Sequence, residues 1–217
     1  MSADPPLSFG LVEDRPVFMD EATDTYFLLE DAQEQEFLDC SAHRTPGFSP
    51  QLEDTLGANP LQVAFARCER PTSAILGSNP PAAGVRATDV ARIARLLVHT
   101  RRAIGRKPIA AILTELRQPR ASPDEPHDTA LVQASAIRFL TARRVVPVRN
   151  NCLLDSIALV RWLGAGGSPA TLVFGVKLHP FAAHCWVQSG ALLVNDRLET
   201  VHRFTPVRVI RCAPGTP

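Results

Sequence analysis

Asn151-Cys152-Leu153-Leu154-Asp155-Ser156-Ile157-Ala158-Leu159-Val160-Arg161-Trp162-Leu163 is the stretch that decides the fold. Read as a helix from Cys152 to Leu163, it is apolar nearly all round, so it must be buried on every side as a central helix. Gly164 to Ser168 end it. The polar run Arg149-Asn150-Asn151 precedes its first residue. Cys152 therefore stands among unpaired backbone amides at the positive end of the helix dipole, where a thiolate is favoured.

Downstream, Thr171 to Val176, Ala183 to Gln188, Ala191 to Asn195 and Val207 to Arg211 read as strands. Ala183-His184-Cys185-Trp186-Val187 and Val194-Asn195-Asp196 fall in two of them, joined by Ser189-Gly190 as antiparallel neighbours would be. Cys152, His184 and Asp196 are the set a thiol nucleophile needs: a sulfur, a base to hold its proton and a carboxylate to orient the base. Singly, each has a plain structural explanation: a small buried hydrophobe, a core histidine, a turn residue. In this order and context they point to a cysteine hydrolase. Strand alternation sends His184 and Trp186 to one face, Cys185 and Val187 to the other. A zinc site at Cys185 with His179 matches no standard spacing, so no metal is expected. No phosphate-binding glycine loop is present, and no cofactor is expected. Cys40, Cys68 and Cys212 receive no role, and His43, His99, His127 and His202 read as solvated.

The chain has 217 residues, enough for one large domain or two small ones. Apolar content is 45%, and no run approaches a membrane span, so no membrane association is expected. Met1-Ser-Ala-Asp-Pro-Pro6 has no basic flank and no apolar segment, hence no signal peptide. Five cysteines in no disulfide pattern fit a reducing cytoplasm. The formal charge of +1 conceals a split: residues 1–85 carry a net −10 and residues 86–217 a net +11. Two units with different surfaces follow. The basic half scatters its arginines over helical faces without a reader motif, which argues against nucleic acid.

In the acidic half, Leu7 to Val12, Pro16 to Met19 and Tyr26 to Leu29 read as strands, the last two as a hairpin. Asp31 and Glu34 stand in capping-box spacing for a first helix. Ser49-Pro50 starts a second, ending at Leu56, and Asn59-Pro60 a third, running to about Glu69. Three strands and three short helices resemble a small winged helix-turn-helix module. The fold class is thus α+β: residues 1–70 form this module, 71–87 are a Pro/Gly/Ser-rich linker, and 88–217 form a domain of the papain and transglutaminase arrangement. That domain opens with a helix from Thr88, with Val90, Ile93, Leu96 and Leu97 on one face. Ile109 to Arg117 and Thr129 to Arg144 read as two further helices.

Asn151-Cys-Leu-Leu-Asp-Ser-Ile-Ala-Leu159, Phe174-Gly-Val-Lys-Leu-His-Pro-Phe-Ala-Ala-His-Cys-Trp-Val-Gln188, Leu192-Leu-Val-Asn-Asp196 and Arg203-Phe-Thr-Pro206 resemble the B proteins of lasso-peptide biosynthesis. These are leader peptidases with a transglutaminase-like catalytic domain, and the likeness covers most of residues 88–217. It implies that Cys152, His184 and Asp196 cut a ribosomally made precursor after its leader. The freed core would then be closed into a ring by a separate ATP-dependent cyclase. The N-terminal module is similar to the leader-recognition element of such pathways, itself akin to the pyrroloquinoline-quinone peptide chaperone. The resemblance implies a leader added as a strand beside the third strand and against the third helix, through Tyr26, Phe27, Leu28 and Leu29 and through Leu61 and Phe65. The module's acidity favours a leader with positive charge, and disfavours DNA. A Cys-His-Asp acyltransferase and a non-catalytic leader-binding scaffold are the alternatives.

Overall fold

In the computed structural model, residues 6–42, 48–57, 59, 62–77, 84–117 and 129–212 are described. The N-terminal sheet begins with β1 (Leu7–Val12), β2 (Arg15–Asp20) and β3 (Thr25–Leu28), an antiparallel meander. Glu13 and Asp14, both at positive φ, make the two-residue turn between β1 and β2. Between β2 and β3, Asp20 accepts from the Ala22 amide at 2.8 Å and from the Thr23 hydroxyl at 2.7 Å. A short strand, β4 (Ala64–Phe65), pairs in parallel with β1, so the order is β3-β2-β1-β4.

Helices α1 (Asp31–Ser41) and α2 (Pro50–Leu56) cover one face of this sheet. Ser49 caps α2, accepting from the Leu52 amide at 3.2 Å. The capping box expected at α1 does not form: Glu30 is the cap residue, and the Glu34 carboxylate takes Arg15 Nη2 at 2.8 Å instead. Leu7, Phe9, Phe18, Phe37 and Leu52 fill the core between helices and sheet, with Phe9 edge-on to Phe37 at 4.9 Å.

The third helix, expected from Asn59-Pro60 to Glu69, is absent from the described residues. Ala64–Phe65 are strand and 66–70 carry no helix. The physical reason is the sheet: β1 offers a free edge, and the Ala66 amide donates to the Phe9 carbonyl at 2.8 Å, so tertiary pairing overrides the local helix signal. Among the described residues, four strands and two α-helices thus stand where three strands and three helices were expected.

The second sheet has the order β5-β8-β7-β6-β9. Its strands are β5 (Ser73–Ala74), β6 (Ala170–Lys177), β7 (Ala182–Ser189), β8 (Leu192–Leu193) and β9 (Thr205–Cys212). Only β5 runs parallel to its neighbour. That strand comes from the segment read as a linker. Ile75, 2% exposed, is drawn into the core beside it, so 71–77 is stitched to this second sheet. Helices α3 (Ala87–Ile104), α4 (Ile109–Leu116), α5 (Thr129–Arg143), α6 (Cys152–Ala165) and α7 (Leu198–Val201) complete the chain. Every residue of α6 from Ser156 to Gly164 is buried, as a central helix requires. Ile93 and Leu97 of α3 are fully buried in the same core, with Val90 and Leu96 packed at its margin.

The two sheets lie against each other through β1 and β9. Gly10 is needed there, since a Cβ on it would stand 2.0 Å from the Pro206 carbonyl oxygen. Ser8 donates its hydroxyl to the Val207 carbonyl at 2.7 Å. Glu21, 1% exposed, accepts from Arg117 Nη2 at 2.6 Å and from Arg208 Nε. Val12, Val17 and Met19 belong to the same apolar core as α6.

Candidate active site

Cys152 owes its place to what precedes it. Arg143, nearly buried, donates to the Val146 carbonyl at 3.1 Å, the Val148 carbonyl at 2.9 Å and the Asn150 side chain at 2.9 Å. It also pairs with Asp155 at 2.7 Å. One guanidinium thus shapes the loop and ties it to the first turn of α6. Asn151 then caps the helix, its Oδ1 accepting from the Leu154 amide at 3.0 Å. The Cys152 amide makes no hydrogen bond among the described residues, which leaves it available to an oxyanion. Cys152 is exposed, in a cleft of about 820 Å³ that His184, Asn195 and Asp196 also line.

His184 arrives on β7. Its Nε2 meets Asp196 Oδ2 at 2.5 Å, so Nδ1 is the nitrogen left for the Cys152 sulfur. Its ring lies 5.2 Å from Phe204 and 6.2 Å from Trp186, on the face that alternation assigns to both. Gly175 makes room for that tryptophan, since a Cβ there would meet Trp186 at 2.7 Å. Asp196 is held on its other oxygen by the Arg197 amide at 2.7 Å.

Two residues of the site were not singled out from the sequence, and a third was weighed only as a metal ligand and set aside. Asn195 accepts from the Val187 amide at 2.8 Å and donates to Ser156 Oγ at 2.9 Å, and Ser156 reaches the Cys185 carbonyl at 3.3 Å. This chain bolts the Asp196 turn to α6 one turn past Cys152. The available signal was a buried hydroxyl in an otherwise apolar helix. Cys185 is the third. Its side chain does pack with α6 on the face opposite His184, yet both its thiol and its amide hydrogen-bond to Cys152. Opposed faces do not separate the two: β8 pairs with Gln188 and Ser189, and beside Cys185 and His184 the described residues place the start of α6 rather than a strand. A residue there meets the helix end from either face.

The electrostatics follow from these contacts. The Cys185 thiol and then His184 stabilise the Cys152 thiolate against the cost of burial, and bring its pKa to about 4. Asp196 and Cys152 hold the His184 imidazolium, raising its pKa to about 9. Burial works against the Asp196 carboxylate, but hydrogen bonds from His184 and the Arg197 amide keep its pKa below the ordinary value. Between about 4 and about 9 the pair is therefore thiolate and imidazolium. Among the described residues, no group of three or more His, Cys, Asp or Glu is placed to hold a metal, and no helix is long and apolar enough to cross a membrane.

The residues picked out for leader binding separate. Leu29 is buried in the N-terminal core, Phe27 stacks on Phe18 at 5.1 Å, and Leu28 is exposed on β3. Tyr26 turns the other way, packing on the catalytic core 6.1 Å from the Phe181 ring. Burial, with Cys185 and Cys152 nearby, raises its phenol pKa. Phe65 sits on β4, the opposite edge of the sheet, against Phe9 and under Arg67. It is not brought together with Tyr26 to Leu29, and Leu61 lies outside the described residues.

The profile of the transglutaminase-like superfamily matches residues 94–209, just over half of the chain. The chain belongs to that superfamily. Within the transglutaminase-like region the match takes in Cys152, His184 and Asp196. Over 48 residues the chain is 42% identical to the Microcin J25-processing protein McjB of Escherichia coli. That stretch is 22% of this chain and spans 23% of the relative. No solved structure matches the chain.

Proposed function

We propose that this chain is a cytoplasmic cysteine endopeptidase that removes the leader from a lasso-peptide precursor. The freed core N-terminus would then be closed into a macrolactam by a separate ATP-dependent cyclase. The observation that carries this reading is the 2.5 Å His184–Asp196 bond beside an exposed Cys152 whose sulfur is held as thiolate. The processing role of the relative adds to it.

The Cys152 thiolate attacks the scissile carbonyl carbon, and the oxyanion takes the free Cys152 amide. His184 gives its Nδ1 proton to the leaving amine as the C–N bond breaks, which leaves a thioester and a neutral imidazole. A water then loses its proton to His184 while attacking the thioester, and the thiolate departs. Asp196 fixes the tautomer and stabilises each imidazolium.

Residues 1–70 are the leader-recognition part, 71–87 the connection and 88–217 the peptidase. Among the described residues β3 has one unpaired edge, Thr25 to Leu28, that suits strand addition by an extended leader. Tyr26 on that strand packs on the catalytic core, so a leader docked there ends near Cys152.

The test is mass spectrometry of the cognate precursor, the short reading frame encoded nearby, after incubation with this protein or with Cys152→Ala. The expected result is two fragments split at the leader–core junction, absent with the variant. Intact precursor in both tubes, unchanged on adding the cyclase and ATP, refutes the proposal. A crosslinked product instead of fragments assigns acyl transfer.

A further inference from the structure

The cleft continues beyond the triad. The space around Cys152 shares Leu76, Gly77 and Arg197 with a second depression of about 610 Å³, walled by Lys177, Glu199, Arg203 and Phe204. Its charges are lopsided. The two acids of the first part are committed, Asp155 to Arg143 and Asp196 to His184. Arg144, Lys177, Arg197 and Arg203 hold no ion pair among the described residues, and face one further acid, Glu199. Arg144, Arg197 and Arg203 are exposed, while Lys177 lies 5.7 Å over the Phe204 ring.

We propose that this cationic run beside Cys152 is a subsite for an acidic side chain carried close to the scissile bond of the peptide. The inference rests on the peptidase reading and adds the class of substrate segment it takes. A guanidinium fork matches a carboxylate in shape as well as charge. Concave walls of one sign concentrate the field, so several uncommitted cations act together on an incoming anion. The acidic N-terminal unit, net −10 over residues 1–85, has the opposite preference. A peptide that is basic where it docks and acidic where it is cut fits the chain in one direction only.

The test compares alkylation of Cys152 by iodoacetate with that by iodoacetamide, two reagents alike in size and different in charge. Cys152, the exposed cysteine, is alkylated whether or not any peptide is cut, so the peptidase reading can fail without affecting this result. The double variant Arg144→Glu/Arg203→Glu should lower the iodoacetate-to-iodoacetamide rate ratio about threefold to tenfold at low salt. Arg106→Glu, the same change on an exposed residue in the turn between α3 and α4, should leave it where it was. The peptide acetyl-Ala-Glu-Ala-amide should also protect Cys152 from iodoacetamide better than its Gln counterpart. An unchanged ratio in the double variant, an equal fall in Arg106→Glu, or equal protection by the two peptides overturns the proposal.

Discussion

Replacing Cys185 by alanine removes one hydrogen-bond donor to the Cys152 sulfur and leaves Cys152, His184 and Asp196 in place. Cys185 is buried and its own thiol pKa is pushed well above the ordinary value, so it stays protonated and donates S–H to the Cys152 sulfur throughout the working range. Its amide, which also donates, survives the substitution. A hydrogen bond to a charged acceptor contributes about 1.5–3 kcal/mol, and a thiol is a weak donor, so the low end applies. At 1.36 kcal/mol per unit, that is about one pH unit. The thiolate has a depressed pKa, so reactivity is present above it and lost as pH falls through it. The acid limb, near 4 in the parent, should therefore move to about 5 in Cys185→Ala. The rate at pH 7 should barely change, because the sulfur is ionised in both. The assay is the rate of Cys152 modification by 2,2′-dipyridyl disulfide between about pH 3 and 8, a range set by the pKa shift. Cys185→Ser keeps a donor and should keep the parent limb. An alanine variant that titrates with the parent, or a serine variant that shifts with the alanine one, refutes the reasoning.

Asp196→Asn should let the His184 pKa fall from about 9 toward its ordinary value, because the largest contribution to the raised value is the Asp196 bond. The alkaline limb of activity should move down in step, with kcat reduced about 10²- to 10⁴-fold, measured as a pH–rate profile. Glu21→Gln strips the charge from a carboxylate that is 1% exposed and bound by Arg117 and Arg208. It should cost about 3–5 kcal/mol by removing the anionic partner from a buried ion pair, and urea unfolding of the variant checks it.

Local pattern made the catalytic half legible. An all-apolar helix opened by Asn-Asn-Cys has one place to go, and Asn151 caps it as its residue type suggests. Alternation along β7 put His184 and Trp186 on one face. What escaped was settled by non-local partners. Residues 64–66 carry helix signals yet pair with β1, because a free strand edge outweighs weak propensity. Ser73–Ala74, in a stretch of linker composition, found the edge of β8. Cys185 reaches Cys152 because the start of α6, and not β8, lies beside it, and strand length is poorly marked in the run around Gly190. The Glu21 contacts join residues 96 and 187 positions apart, beyond any periodic signal.

The burial of Val12, Val17 and Met19 in the same interior as α6 has a consequence for how the molecule can be divided. A cut between residues 71 and 87 bares an oily face on each piece, so two separately expressed halves should clump rather than reassemble. The same shared interior makes the N-terminal sheet and the Cys152 helix one melting unit. A peptide bound to the N-terminal sheet at a hundred times its Kd should raise the unfolding free energy of the whole unit by about 2.7 kcal/mol. The heat resistance of Cys152's surroundings thus becomes a gauge of whether the N-terminal sheet is occupied.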